Sequence, residues 1–183
     1  MVDIVYKQPL KELLQISSYF KEQTLILVNN DSEEKLAKQK TLNPIFLVDQ
    51  KTDLNKIKNK KTAVIGGSVA LNEFATKIKA NYLLQPSNEK QFFDLGLAKK
   101  LSDNDTTVVF MFEDFLSKNS FDRHLYWKNY LEVVNYCKKK KTKFIVASGS
   151  TEFTTLKHRK VRQSLMQLLG LSETLAKNYL GGE

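Results

Sequence analysis

The sequence predicts a parallel α/β fold. Short apolar runs at residues 2–6, 25–28, 45–48, 62–65, 82–84, 107–112 and 144–147 read as seven strands. Helical spacing or a helix cap recurs between these runs, and no two of them are joined by a hairpin signal. The runs at 107–112 and 144–147 are apolar almost throughout, as strands covered on both faces must be. Pattern alone leaves two architectures open, an open doubly wound sheet and a closed or distorted (β/α) barrel.

In order along the chain, Pro9 sits at a helix-opening position ahead of Leu10, Leu13, Leu14 and Phe20. Asp31 with Glu34 has the spacing of an N-terminal cap and places a short helix over 32–40. Pro44 precedes the third strand, and the polar, lysine-rich stretch 51–61 separates it from the fourth. Gly66-Gly67-Ser68 then turns the chain into a helix over 69–78. Pro86 stops the fifth strand, and Asn88 with Gln91 is expected to cap a helix carrying Phe92, Phe93, Leu95, Leu97 and Leu101. The longest helix, over 122–140, turns Leu125, Tyr126, Trp127, Tyr130, Leu131, Val133, Val134 and Cys137 mostly to the core. Nothing in the composition divides the 183 residues, so one domain over 1–183 is expected.

Hydrophobic residues at 42% and charged residues at 27% describe a soluble globular chain. No apolar run approaches the roughly 20 residues of a membrane helix, and no basic-then-apolar leader opens the sequence; a cytoplasmic location with no membrane partner is expected. Lone Cys137 cannot form an intramolecular disulfide. Lys plus Arg exceed Asp plus Glu by 29 to 20, a net charge of +9 that favours an anionic partner, RNA being the commonest for a basic domain. The excess is concentrated at 56–61, at 138–143 and at 157–162.

The last concentration follows the seventh strand. Phe144-Ile145-Val146-Ala147 delivers the small-residue loop Ser148-Gly149-Ser150, and after a polar turn Lys157-His158-Arg159-Lys160-Val161-Arg162 opens a helix. Val161, Leu165, Leu168 and Leu169 lie at i, i+4, i+7 and i+8, which predicts a core-facing stripe, with Arg159, Lys160, Gln163 and Gln167 on the far side. Cationic side chains are slightly unfavourable at a helix N-terminus, so an anion bound there by charge and unpaired amides explains them better than chance. A final helix over 172–180 completes the chain.

These C-terminal residues resemble the signature of ribonuclease P protein component 3. In that family a strand ending in Ser-Ser-Gly-Ala leads to an Arg-Ser-Pro-Arg-Asp segment and a Leu-Leu-Gly-Leu helix end. Here Val146-Ala147-Ser148-Gly149-Ser150 stands for the first, Lys157-His158-Arg159-Lys160 for the second without its proline, and Leu168-Leu169-Gly170-Leu171 for the third. Val2-Asp3-Ile4-Val5, Tyr82-Leu83-Leu84-Gln85-Pro86 and Phe121-Asp122-Arg123 echo the family upstream. The resemblance implies a TIM-like barrel and a protein subunit that supports RNA-catalysed removal of 5′ leaders from precursor tRNA. It implies ribonuclease P RNA, precursor tRNA, ribonuclease P protein component 2 and other protein subunits as partners. It also implies no catalytic residue and no cofactor in this chain, with magnesium serving the RNA subunit. Arg123, Ser148, Lys157, His158, Arg159, Lys160 and Arg162 are the residues expected at the RNA.

Other chemistry is weaker. The sequence holds two histidines, His124 and His158, which excludes a multinuclear histidine-rich metal site but not a carboxylate-only magnesium site. Asp49 and Glu113 each follow a strand and could meet at a barrel mouth as a metal-dependent phosphohydrolase; a turn cap for Asp49 and a lysine partner for Glu113 fit better. Asp3, if buried, needs a lysine or backbone amides beside it. Gly66-Gly67-Ser68 could cradle a phosphate but is an ordinary way to turn from strand to helix. Trp127, Tyr126 and Tyr130 have the spacing of core residues rather than base-stacking platforms, and Cys137 that of an inert core thiol. A scaffold with a merely solvated basic face is the remaining alternative.

Overall fold

A computed structural model describes residues 2–5, 23–39, 43–150 and 156–180. The helix expected after Pro9 lies outside the described residues. Seven strands follow in the order of the sequence: β1 (Val2–Val5), β2 (Gln23–Val28), β3 (Asn43–Leu47), β4 (Thr62–Ile65), β5 (Tyr82–Leu84), β6 (Thr107–Met111) and β7 (Phe144–Ala147). Every neighbouring pair is parallel, and the order runs β1 to β7 without reversal. A doubly wound sheet would change direction in the middle of its strand order. The runner-up architecture is therefore set aside, and the sheet is a nearly closed TIM-like barrel. At the seam, the Gly149 N–H donates to the Ile4 carbonyl at 3.1 Å, bringing β7 back to β1.

The described helices are α1 (Asp31–Gln39), α2 (Val69–Lys77), α3 (Leu95–Asp103), α4 (Phe112–Leu116), α5 (Ser120–Lys140), α6 (Arg159–Leu168) and α7 (Glu173–Tyr179). A 3-10 turn, Leu54–Ile57, lies between β3 and β4 and is capped by the Asp53 carboxylate. Several starts differ from expectation by a local hydrogen bond. Asn30 accepts from the Glu33 amide while Glu33 reaches back to the Asn29 amide, so α1 begins one residue early. Asp94 caps α3 by accepting from Leu97 N–H at 2.7 Å, not Asn88. Phe92 and Phe93 precede that helix because Ser87 and Gln91 bond to each other and take the amides of these two residues. Asn119 caps α5 through the Asp122 amide, which starts that helix at Ser120.

Phe112 opens the short helix α4 instead of prolonging β6, a turn no apolar pattern announces. It lets Phe112 and Phe115 join an aromatic cluster around Phe110. Phe110 lies 4.5 Å from Tyr130, 5.9 Å from Tyr126 and 5.7 Å from Phe115 between ring centroids. Tyr126 and Tyr130 are buried and Trp127 is half-buried against the core, so these rings pack rather than wait for bases. Cys137 is buried in the same helix, and burial pushes its thiol up, away from the reactive thiolate.

Residues at the C-terminal ends of the strands are tied together. The Tyr130 hydroxyl donates to Gln85 Oε1 at 2.8 Å, while Gln85 Nε2 donates to the Met111 carbonyl at 3.1 Å. Gly66, whose N–H donates to the Leu84 carbonyl, leaves no space for a side chain. A Cβ there would stand 2.3 Å from Asn72 Oδ1 and 2.8 Å from the Pro86 Cα. The second neighbour is backbone and cannot swing away. Gly66→Ala is therefore expected to destabilise by about 1–3 kcal/mol, read as a lower urea midpoint at unchanged m. An unchanged midpoint would mean that the β4–α2 turn is free to shift. The loop spends its backbone on packing: Ser68 caps α2 by accepting from Leu71 N–H.

Candidate nucleic-acid interface

The basic segment at 157–162 is fixed by a buried polar cluster at the barrel seam. Asp3, in β1, is 5% exposed. Its Oδ1 accepts from the Ile4 amide at 2.9 Å and from the Ser148 amide at 2.8 Å, and its Oδ2 accepts from the Ser148 hydroxyl at 2.6 Å. Arg162, 0% exposed, brings Nη1 to 3.5 Å from Asp3 Oδ1. Both partners then grip Lys157. Its amide donates to Ser148 Oγ at 2.9 Å, and its carbonyl accepts from Arg162 Nε at 3.2 Å. Asp3 thus has the amides its burial demanded, with an arginine in place of a lysine.

Two residues expected at the RNA are consequently internal. Ser148 and Arg162 are both 0% exposed, their polar groups joined to Asp3 and Lys157. They position the segment from beneath. The inward face of α6 is shifted from the expected stripe. Of that stripe, Leu169 is buried and Leu165 packs half-buried on the core, whereas Val161 is 45% and Leu168 68% exposed; Arg162 and Met166 complete the buried face. Positions 162, 166 and 169 repeat at helical spacing as well as 161, 165 and 168 do, and the buried carboxylate of Asp3 favours the face that contains its counter-charge.

What remains outward is Lys157, half-buried with Nζ 5.9 Å from the centre of the Phe112 ring, half-buried Arg159, and exposed His158 and Lys160. His158 is the N-cap of α6. Its Nδ1 accepts from the Lys160 amide at 3.2 Å, and its carbonyl accepts from the amides of Val161 and Arg162. Those amides are no longer open to an anion, so attraction must come from the side-chain charges. Capping by Nδ1 is a role that a helix-start pattern of Ser, Thr, Asp or Asn does not reveal.

Arg123 is half-buried in the first turn of α5, at the same C-terminal end of the strands. Its buried Nε–H has no hydrogen-bond partner among the described residues. Glu113 Oε2, in the first turn of α4, is orphaned in the same way, so its expected lysine partner is not found. Its amide donates to the Ser148 carbonyl at 3.0 Å, which places α4 against the Asp3 cluster. Asp49 is the expected turn cap, accepting from the Lys51 amide and the Thr52 hydroxyl, which hold its carboxyl below its usual range. Asp49 and Glu113 follow β3 and β6, three apart in a ring of seven. Among the described residues, no three or more His, Cys, Asp or Glu side chains gather where they could hold a metal ion.

The fold has solved counterparts. It matches a chain of the cryo-EM structure of archaeal ribonuclease P with mature tRNA at a TM-score of 0.79, covering 98% of this chain and 87% of that one at 14% identity. It also matches a crystal structure of an uncharacterized protein at a TM-score of 0.50 and 12% identity, over 85% of this chain and 48% of that one. No family model matches the sequence, and no curated protein matches it.

Proposed function

We propose that this chain is a protein subunit of ribonuclease P, similar to protein component 3, which supports RNA-catalysed removal of 5′ leaders from precursor tRNA. The observation that carries the reading is the fold match over 98% of the chain to a component of archaeal ribonuclease P, made by a barrel with an outward basic segment after β7. Lys157, Arg159 and Lys160 supply the cationic surface, with His158 holding the helix start and Arg123 adding charge at the same end of the barrel. Ser148 and Arg162 leave the set of contacts and become its supports. Cationic side chains of this kind neutralise close-packed RNA phosphates and release their counterions.

On this reading the hydrolytic chemistry belongs to the RNA and its magnesium. The dispersed carboxylates Asp49 and Glu113, and the lack of a gathered ligand set among the described residues, support it. A partner protein such as component 2 needs apolar surface, and α6 offers Val161 and Leu168 beside the charges.

The test is reconstitution. Ribonuclease P RNA with the other protein subunits, at moderate magnesium, is expected to cleave precursor tRNA markedly more slowly when this chain is omitted. The chain by itself is expected to cleave nothing. Equal rates with and without it would overturn the assignment and make Asp49 and Glu113 the next residues to change.

A further inference from the structure

The first two lysine concentrations, far apart in sequence, come to the same end of the barrel. Lys58 and Lys61 stand just before β4, Lys77 and Lys79 end α2 before β5, and 138–141 end α5 before β7. Because β4, β5, β6 and β7 are consecutive in the sheet, these turns lie along one arc of the N-terminal rim of the barrel, with the turn before β6, which carries Asp103 and Asp105, between the second and the third. Hydrogen bonds knit the rim together. Asn81 accepts from the Thr62 amide at 2.9 Å through Oδ1 and from the Thr107 amide at 2.9 Å through its carbonyl, and the Lys143 carbonyl accepts from Val108 N–H at 2.9 Å. Lys157, Arg159 and Lys160 follow the opposite, C-terminal end of β7.

Part of this charge has a local reason. Lys79 and Lys141 adopt left-handed backbone at φ 50° and φ 57° just past helix ends, where glycine is the common residue. A positive charge there offsets the negative end of the helix dipole. That end amounts to about half a charge per helix, while α5 alone finishes on Lys138, Lys139, Lys140 and then Lys141. Lys143 pairs with Asp105 at 2.8 Å, and Lys99 with Asp103 at 3.1 Å. Exposed Lys61, Lys79, Lys139 and Lys141 have no carboxylate partner among the described residues. The rim therefore carries cationic charge that the chain itself does not use.

We infer that this N-terminal rim is a second RNA-phosphate surface, binding a segment of RNA separate from the one at α6. The inference rests on the RNA-binding reading above. Three to six residues of strand separate the two ends, roughly 10–20 Å at about 3.3 Å per residue. The Debye length at physiological salt is about 8 Å, so the two surfaces act independently and their contributions add.

The experiment measures binding of a ribonuclease P RNA transcript by fluorescence anisotropy across a salt series. Three variants are compared with the unaltered chain: Lys61→Gln, Lys79→Gln, Lys139→Gln and Lys141→Gln combined; Arg159→Gln with Lys160→Gln; and all six together. Circular dichroism checks each fold. The rim variant is expected to weaken binding about tenfold or more and to make the slope of log K against log salt shallower by about 3, additively with the α6 pair. An unaffected rim variant beside a weakened α6 variant would overturn the second surface and leave the RNA reading standing. If neither variant changed binding, the RNA reading would fall and the rim with it. A six-fold variant no weaker than one set alone would mean a single shared surface, against the inference. Loss of binding to phosphatidylserine vesicles, with RNA binding intact, would assign the rim to a membrane and equally overturn it.

Discussion

Asp3→Ala is expected to lower the melting temperature by roughly 10 °C, the largest effect of any single change at the barrel seam. Removing one partner of a buried ion pair costs about 3–5 kcal/mol, because the remaining charge stays buried and uncompensated. A chain of this size loses about 2–4 °C per kcal/mol. The carboxylate also accepts from two amides and one hydroxyl, so its removal strands those donors too. Arg162→Met is expected to cost less. Asp3 then keeps its three hydrogen bonds, and the new side chain lies beside Met166 and Leu169 on the buried stripe of α6. The double variant, with neither charge, is expected to recover part of the loss of Asp3→Ala. Thermal unfolding followed by circular dichroism decides the matter. A smaller effect for Asp3→Ala than for Arg162→Met would show that the seam is held by packing and not by the carboxylate.

Neutralising Arg159 and Lys160 together is expected to leave the melting temperature in place and to weaken binding to ribonuclease P RNA about tenfold. Neither side chain takes part in the Asp3 cluster. If each meets one phosphate, the log–log salt slope becomes shallower by about 1.4 to 1.8. The contrast with Arg162 is the useful part of the experiment. Arg162→Gln should lower the melting temperature and weaken RNA binding as a consequence, whereas the outward pair should lose RNA binding alone. Loss of fold on changing Arg159 and Lys160 would make the whole cluster structural, and the RNA interface would have to be sought elsewhere.

The strands were legible because each is a local apolar run. Residues 144–147 and 107–111 are buried to the last side chain but one, as their composition demands. The cap of α1 was legible in the same local way, one residue out of place, at Asp31 instead of Asn30. The α3 start was misread because Asn88 and Gln91 looked like a cap while Gln91 was occupied with Ser87. The α4 turn left no trace in a run of apolar residues that serves a strand or a helix equally well. Within the basic segment, Arg159 and Lys160 lie on the far side of the helix as the spacing predicts, whereas Arg162, expected at the RNA, is buried. A charged residue at one turn's spacing gives no sign that a carboxylate waits for it.

By itself, then, the sequence determined the parallel α/β class, the strand inventory, the net positive charge and its concentrations, because each depends on residues close together along the chain. Only the tertiary structure decided that the strands close into a ring and which face of α6 turns inward. It also decided that lysines from separate turns share one rim. The reason is distance along the chain. The carboxylate that seats Ser148, and through it the basic segment, comes from a residue 145 positions earlier. Its effect depends on β7 returning to β1, a contact that no local pattern of residues encodes.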